Sequence, residues 1–377
     1  MKTTKQGFTI VELLIVVVVI AILAAITIVA YNGITNDAET SALKSDLSTT
    51  AKKLQIAKIN GDGTFPVSPD FIPAGLTYSS GGNAFCVFGT ANGKDFRITE
   101  VGSIQEGSCA LPVATTMQQF TSAHCAAADI YTGSNPAAIK TLTDSRGGVT
   151  QTYEVAKLAD NNCWMITNLR LGSTTGAITL TPADSNVASN FTLPQVKSAG
   201  LIWDITTNPG NNYDTPYAYG PVPGDTGSGS ANYGYLYNWS AATAGETRTT
   251  KPAGSGDTPY SICPVNWRLP TSGTGGVGEF AMLNAKMNNP SATAGSISGG
   301  TGFYQNWQFA GPFKGVLSGL WYGGSFNSQS SNGLLWSRSA HASGANFAHY
   351  AYFNVSNVDP AYGYFRYYGL GVRCLLN

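Results

Sequence analysis

The sequence has little charge, and this scarcity excludes several classes of protein. Lys, Arg, Asp and Glu make up 11% of the 377 residues, against about a quarter in a typical soluble domain. The 21 basic and 21 acidic residues give a formal net charge of zero. Because no overall positive charge attracts the chain to polyanions, we do not expect nucleic acid as a partner.

Motifs typical of enzymes are also missing. The sequence contains neither a glycine–lysine phosphate-binding loop nor a G-x-S-x-G nucleophile motif. The segment "GTGGVG", residues 273–278, formally matches G-x-G-x-x-G. It follows a proline-containing loop rather than a strand that opens a βαβ unit, so we interpret it as a chance match. We therefore expect no enzymatic activity and no cofactor.

Signals for a metal site are equally weak. The histidines His124, His341 and His349 lack the spacing of metal ligands, and no C-x-x-C occurs. Asp204 and Asp359 are isolated carboxylates, whereas a calcium site needs several clustered oxygen ligands. We therefore predict no metal site.

The sequence does contain an even number of cysteines, all outside its long apolar run. They are Cys86, Cys109, Cys125, Cys163, Cys263 and Cys374. In an exported chain an even number favours disulfides, although six cysteines allow 15 different pairings.

One long hydrophobic run lies near the N-terminus. From Leu13 to Ala30, 18 residues carry no charge, which is long enough for a helix to cross a bilayer. A cleaved secretory signal would have a shorter apolar core followed by a small residue, but here the small residue Gly7 precedes the run. An ordinary membrane anchor remains an alternative, but it gives no reason for the costly carboxylate of Glu12.

The order of a basic leader, Gly7, Phe8 and then Glu12 resembles the class III signal of type IV pilins and pseudopilins. The resemblance implies that a prepilin peptidase cuts between Gly7 and Phe8 and that the new N-terminal Phe8 is methylated. It also implies that Glu12 pairs with the freed amine of a neighbouring subunit inside a filament, where an unpaired charge would be penalised. Such a chain is a single-pass membrane protein before the assembly machinery incorporates it into a cell-surface pilus with other pilin subunits.

After a leader at residues 1–7, the pattern predicts one helix over 8–60, with residues 8–30 in the membrane or the filament core. Its second half is amphipathic, because Leu43, Leu47 and Leu54 fall on one face.

Residues 61–112 predict a small antiparallel sheet. The segments "AFCVFGT" and "KDFRITEVG" alternate apolar and polar residues and are joined by "ANG", which is typical of a hairpin turn. Cys86 lies on the first strand and Cys109 just after the second, so we favour a disulfide between them.

Residues 113–377 contain four blocks that resemble a known secreted module. These are "QTYEVAKLADNNCWMITNLRL", "YGYLYNWSAAT", "CPVNWRLPT", and "LLWSRSA" with "YGLGVRCLLN". In this order they are similar to the Fibrobacter succinogenes major paralogous domain, whose ligand is generally unassigned. The resemblance implies a β-rich, C-type-lectin-like head domain.

The same resemblance assigns roles to several residues of that domain. It places Cys263 and Cys374 as a long-range disulfide, and our preferred pairing also joins Cys125 to Cys163. We expect the tryptophans of the blocks in the core and the arginines beside the cysteines in structural hydrogen bonds. These residues are Trp164, Trp267, Trp336, Arg268 and Arg373.

A ligand surface, if present, is expected between residues 321 and 368, where aromatics mix with Asn, Ser and Gly. Rigid aromatic side chains provide contact area for a host or partner-cell glycan or protein at low entropic cost. The candidate residues are Trp321, Tyr322, Asn327, Tyr364, Tyr367 and Tyr368. The alternative is that they form loops and core of a tyrosine-rich domain.

The sequence thus predicts an α+β protein with a long N-terminal helix, a small sheet and a β-rich head. The leading hypothesis is a minor or tip subunit of a type IV pilus whose head mediates adhesion. The alternative is a pseudopilin of a type II secretion or DNA-uptake machine.

Overall fold

The computed structural model describes residues 10–61, 63–66, 69–81, 84–109, 113–198, 213–273, 277–288 and 304–377. The chain divides into two compact units, Met1–Pro112 and Val113–Asn377. We call them the N-terminal unit and the C-terminal unit. The fold class is α+β, as the sequence predicts, because one long helix precedes a β-rich region of small antiparallel sheets.

The N-terminal unit begins with helix α1, Ile10–Asn60. Its first half is apolar on all sides, and its large apolar side chains described between Ile10 and Ile28 are exposed. Its second half buries one face, where Leu47 and Leu54 are fully inaccessible to solvent. The change follows the sequence, since after Glu12 no charged residue occurs before Asp37.

A four-stranded antiparallel sheet completes this unit, in the order β1-β2-β3-β4. The strands are β1 Thr77–Gly81, β2 Ala84–Ala91, β3 Lys94–Thr99 and β4 Ile104–Glu106. Asn92 and Gly93 form the two-residue turn between β2 and β3 with φ of 53° and 73°, and this left-handed pair suits a tight hairpin. The Asn92 Nδ2 donates to the Asn36 carbonyl at 2.6 Å, which fastens the hairpin to α1.

The core of the N-terminal unit is small. Phe65 and the inward side chains of β2 and β3 pack on the buried face of α1. The disulfide Cys86–Cys109 closes a sequence separation of 23 residues at the edge of this core.

The described part of the C-terminal unit is built from strands with three α-helices and four short 3-10 helices. The α-helices are α2 Ser122–Ala127, α3 Trp239–Ala242 and α4 Glu279–Asn288. The strands are β5 Lys140–Asp144, β6 Gln151–Lys157, β7 Cys163–Met165, β8 Ile178–Leu180, β9 Phe191–Leu193, β10 Ala218–Tyr219, β11 Leu236–Tyr237, β12 Trp267–Arg268, β13 Leu320–Tyr322, β14 Ser325–Asn327, β15 Asn332–Ala340, β16 Phe347–Asn354, β17 Val358–Phe365 and β18 Leu375–Leu376.

Two sheets organise this unit. A five-stranded antiparallel sheet has the order β12-β18-β7-β6-β5, and a three-stranded antiparallel sheet has the order β15-β16-β17. Three two-stranded pairs, β8-β9, β10-β11 and β13-β14, lie beside them in the described residues. Strand β18, although last in sequence, lies between β12 and β7.

The core of the C-terminal unit is rich in tryptophan. Trp164, Trp267 and Trp336 are fully buried, as are Trp239 and Trp307. The indole nitrogens keep hydrogen-bond partners; for example, Trp336 Nε1 donates to the Tyr237 carbonyl at 2.7 Å. Disulfides join Cys125 to Cys163 and Cys263 to Cys374, the latter across a separation of 111 residues.

Several charged groups are also buried in this unit and are held by dense hydrogen bonding. Arg146 forms a two-pronged ion pair with Asp144, with Nη2 to Oδ2 at 2.8 Å and Nε to Oδ1 at 2.9 Å. Arg373 donates from Nε to Asn168 Oδ1 at 2.8 Å, and burial lowers its pKa to about 9. Arg268 pairs with Glu279. Arg268 and Arg373 therefore make the structural hydrogen bonds expected of them.

Candidate functional site

A cavity of about 390 Å³ opens on the β15-β16-β17 sheet, and we call it the tyrosine cavity. Its volume lies at the lower end of small-molecule sites, which span roughly 300–1,000 Å³. Its lining residues are Leu320, Asn332, Leu334, Tyr350, Tyr352, Asn357, Asp359, Tyr362, Tyr364, Tyr368 and Leu370.

The alternation of side chains along two strands explains why so many tyrosines meet here. Tyr350 and Tyr352 on β16 are two residues apart, and so are Tyr362 and Tyr364 on β17. Side chains two residues apart in a strand point to the same face. Tyr350 pairs in register with Tyr362, which brings the two sets together.

A β-bulge brings a carboxylate onto the same face. Tyr350 pairs with Tyr362, but Tyr352 pairs with Asp359. The two pairings are therefore three residues apart on β17 and only two residues apart on β16. Such an extra residue redirects the side chains around it. Asp359 and Tyr362 consequently both line the cavity although they are an odd number of residues apart.

The rings around the cavity are steeply inclined to one another. Tyr350 and Tyr364 have centroids 6.2 Å apart at 81°, and Tyr350 and Tyr362 have centroids 5.5 Å apart at 66°. Tyr364 and Tyr368 lie closer, with centroids 4.5 Å apart at 41°. The two contacts of Tyr350 are edge-to-face and the Tyr364–Tyr368 contact is tilted, and such contacts are favourable and help to hold the rings in position.

Polar groups complete the wall. The Tyr352 hydroxyl donates to Asn332 Oδ1 at 3.1 Å and accepts from Asn354 Nδ2 at 2.7 Å. Asp359 Oδ1 accepts the Ala361 amide at 2.9 Å, which orients the carboxylate. Burial, reinforced by the neighbouring phenols, raises the pKa of Tyr350 well above its ordinary value, so its hydroxyl stays protonated.

The predicted ligand residues separate into two groups. Tyr364 and Tyr368 line the cavity, and Tyr322 and Tyr367 pack against Tyr368 with centroids 4.7 Å away in each case. These four tyrosines form one contiguous cluster.

Two residues of the set are buried. Trp321 is 5% exposed, because it stacks on Tyr219 with centroids 4.0 Å apart and planes inclined by 9°. Tyr368 is also 5% exposed, although it contributes to the cavity wall. Asn327 does not line the cavity, since its Nδ2 donates to the Tyr322 carbonyl at 3.0 Å within the β13-β14 hairpin.

The candidates named from the sequence include only two of the eleven described residues that line the cavity, Tyr364 and Tyr368. Tyr350, Tyr352, Tyr362, Asn332 and Asn357 were not proposed, and Asp359 was considered only as an isolated carboxylate. The alternating tyrosines in "YAY" of β16 and "YGY" of β17 were the available signal, since period-two aromatics on two successive strands share a face.

A second cavity, of about 270 Å³, lies between β5, β6 and residues 309–316. Its charged groups neutralise each other, because Lys314 Nζ lies 2.6 Å from Glu154 Oε2. No group of three or more His, Cys, Asp or Glu side chains is close enough to hold a metal ion among the residues described. Asp204, the other carboxylate considered for calcium, lies outside those residues.

The predicted assembly site is at the other end of the chain. Gly7 and Phe8, the expected cleavage and methylation residues, lie outside the described residues, and Glu12 is described only as part of the backbone of α1. From Leu13 onward this helix is long and apolar enough to cross a membrane, with a mean hydropathy of 3.4 over its most apolar window.

Comparison with known proteins identifies this same segment. Residues 2–28 match the prokaryotic N-terminal methylation motif. The match makes the N-terminal segment similar to that of type IV pilin-like or pseudopilin-like proteins, a structural rather than enzymatic family. The motif implies processing by a prepilin peptidase and assembly with other pilins. No curated protein and no solved structure matches the chain.

Proposed function

We propose that this chain is a minor or tip subunit of a type IV pilus whose C-terminal unit recognises a ligand on a host or partner cell. The observation that carries the proposal is the methylation motif at residues 2–28 in one chain with a disulfide-bonded unit of more than 200 residues. A filament subunit needs the first part for assembly, and packing alone does not require the second.

The proposed role of the N-terminal segment follows from its exposed apolar surface. The large apolar side chains described between Ile10 and Ile28 are 46% to 83% exposed. Water penalises such a surface, so lipid before assembly and neighbouring helices after assembly are the expected environments. In the filament core, Glu12 would pair with the methylated amine of Phe8 on the next subunit, after cleavage at Gly7.

The substitution Glu12→Ala tests this pairing. We expect leader cleavage to continue but incorporation into filaments to fall about tenfold or more, because the buried amine loses its partner. Quantitative immunoblotting of sheared filaments measures incorporation, and mass spectrometry checks that the mature chain begins with methylated Phe8. Glu39→Ala, which removes an exposed carboxylate from the same helix, is the matched control. Normal incorporation of the Glu12 variant would contradict the pairing.

The head domain is proposed to be lectin-like and adhesive, with the tyrosine cavity as its recognition site. This extends the resemblance of about residues 117–377 to the Fibrobacter succinogenes major paralogous domain, and the tyrosine-rich cavity supports it. Immunogold labelling of the C-terminal unit tests the placement, since a tip subunit gives label at filament ends. Uniform label along filaments would contradict the tip position, and unlabelled filaments would contradict the proposal.

A pseudopilin of a secretion or DNA-uptake machine is the alternative, because the methylation motif occurs in both groups. A deletion strain separates the two. Loss of surface attachment with normal secretion and transformation supports the pilus subunit, whereas the reverse pattern supports the pseudopilin.

A further inference from the structure

The charged side chains described in the tyrosine cavity are acidic only. Asp359 is the single acidic residue among the described residues that line it, and no Lys or Arg is among them. The ion pairs found in the described part of the C-terminal unit do not include Asp359. The site therefore presents an uncompensated carboxylate beside five aromatic rings.

The arrangement of those rings narrows the class of ligand. The apolar C–H face of a sugar ring stacks on one aromatic platform, but here Tyr350 is inclined by 81° to Tyr364 and by 66° to Tyr362. Rings inclined in this way surround a bound group from several sides. The electron-rich faces of aromatic rings attract cations, and such cages are a known means of binding quaternary ammonium groups.

Other ions fit the cavity less well. An anionic ligand would be repelled by Asp359 and would find no basic side chain among the described lining residues. Calcium requires six to eight oxygen ligands, whereas the lining offers one carboxylate and the two amides of Asn332 and Asn357. An organic cation needs fewer oxygens and more ring surface.

We propose that the tyrosine cavity binds a methylated ammonium group, such as that of choline, with Asp359 as its counter-ion. The inference deepens the proposed recognition function and rests on it for its biological meaning. Tyr350, Tyr352, Tyr362, Tyr364 and Tyr368 form the cage, and Asn332 and Asn357 hydrogen-bond to the hydroxyl or ester side of the ligand.

The test compares two ligands of the same shape. The detergent-solubilised full chain is titrated by calorimetry with choline chloride and with 3,3-dimethylbutan-1-ol, its neutral isostere, at constant ionic strength. We expect choline to bind about tenfold or more tightly than the isostere, because only choline gains cation–π and ionic attraction. Equal binding of the two compounds, or no binding of choline, would overturn the proposal.

Matched variants locate the binding. Asp359→Asn retains the shape and the acceptor for the Ala361 amide but removes the charge, so choline affinity should fall about tenfold while that of the isostere should not change. Tyr364→Leu should also weaken choline binding. Asp129→Asn and Tyr260→Leu remove an exposed carboxylate and an exposed ring outside the cavity and should have no effect. Unchanged thermal unfolding of each variant shows that it has folded.

The outcomes also separate this inference from the proposed function. If cells attach through labelled filaments but the subunit does not bind choline, the proposed function stands and the inference of a methylated-ammonium site is wrong. If the subunit binds choline but is absent from filaments, the inference stands and the proposed pilus function is wrong. If choline binds, tighter binding of phosphatidylcholine vesicles than of free choline would identify a lipid headgroup as the source of the cation. A neutral hexose that binds in the cavity while choline does not would contradict the inference.

Discussion

The two units of this chain differ in how much of their apolar surface is exposed. In the N-terminal unit, the first half of α1 leaves its large apolar side chains exposed. In the C-terminal unit, five tryptophans are fully buried, and even Arg366 and Arg373 are removed from solvent. The first half of α1 therefore requires lipid or other proteins to cover its apolar surface, whereas the C-terminal unit buries its tryptophans within its own fold.

The units also differ in how they are cross-linked. The single disulfide of the N-terminal unit closes a short separation of 23 residues, whereas Cys263–Cys374 closes 111. All seven tryptophans of the sequence lie after residue 112, so tryptophan fluorescence follows the C-terminal unit alone. The comparison can therefore be tested one unit at a time.

The largest difference is expected from removing the disulfides. In the chain-entropy model, Cys263→Ser with Cys374→Ser should lower the free energy of unfolding of the C-terminal unit by about 5 kcal/mol. The pair Cys86→Ser and Cys109→Ser should cost about 3 kcal/mol in the N-terminal unit. Denaturant unfolding of the detergent-solubilised chain measures both, by tryptophan fluorescence and by the far-ultraviolet helical signal. A shifted fluorescence transition in the second double variant would show that the two units do not unfold independently.

Next in size is the buried ion pair of the C-terminal unit. Asp144→Ala leaves the Arg146 guanidinium buried without its carboxylate, and we expect a loss of about 3–5 kcal/mol. The control is Glu106→Ala in the N-terminal unit, whose partner Lys94 is exposed, and its cost should stay below about 1 kcal/mol. Similar losses from both substitutions, measured by denaturant unfolding, would contradict the contrast in burial.

A smaller effect should depend on pH and appear only in the C-terminal unit. Burial raises the pKa of Asp160 from 3.8 to about 6, despite hydrogen bonds from Trp164 Nε1 and Asn162. Because the folded state holds this proton more tightly than the unfolded state, stability should fall as the pH rises from about 4 to about 6. The slope for one group is at most about 1.4 kcal/mol per pH unit.

Asp160→Asn should remove this part of the pH dependence. Unfolding followed by tryptophan fluorescence between pH 4 and pH 7 measures it, with Asp129→Asn as an exposed control. Parallel pH profiles for the wild type and the Asp160 variant would show that this carboxyl does not contribute.

The smallest predicted loss of stability comes from left-handed turn residues, which occur in both units. Asn92 and Asn161 both adopt left-handed backbone angles in turns, one in each unit, with φ of 53° and 64°. Substitution of either by Ala should cost about 1 kcal/mol, because Ala lacks the short polar side chain whose local hydrogen bonds let Asn tolerate the left-handed region. Asn92→Gly permits the same backbone angles and removes the hydrogen bonds to the Asn36 carbonyl and to Thr40 Oγ1, so a cost as large as that of Asn92→Ala would place the effect in those bonds instead.

Local patterns in the sequence predicted the N-terminal unit well. The spacing of Leu47 and Leu54 indicated the buried face of α1, and "ANG" indicated the turn between β2 and β3. Both signals act over a few residues, since helix faces and hairpin turns are determined by nearby spacing.

The cavity depended on information that local patterns do not contain. Trp321 is buried because Tyr219, 102 residues earlier in the chain, stacks on it, and nothing near Trp321 indicates that partner. Asp359 enters the cavity through the bulge that separates the Tyr350 and Tyr352 pairings. Register irregularities of this kind arise from the pairing of whole strands, so the tyrosines were predicted in part and the carboxylate was not.

The position of β18 has a consequence for the order in which the molecule is completed. Ribosomes make a chain from its first residue onward, and Leu375–Leu376 must then insert between β12 and β7, which were made long before. Until that insertion, the neighbouring strands lack a hydrogen-bonding partner and Cys374 cannot meet Cys263. Any product of interrupted synthesis or late proteolysis therefore keeps its long apolar helix but lacks an inner strand of the five-stranded sheet and the disulfide that follows from it.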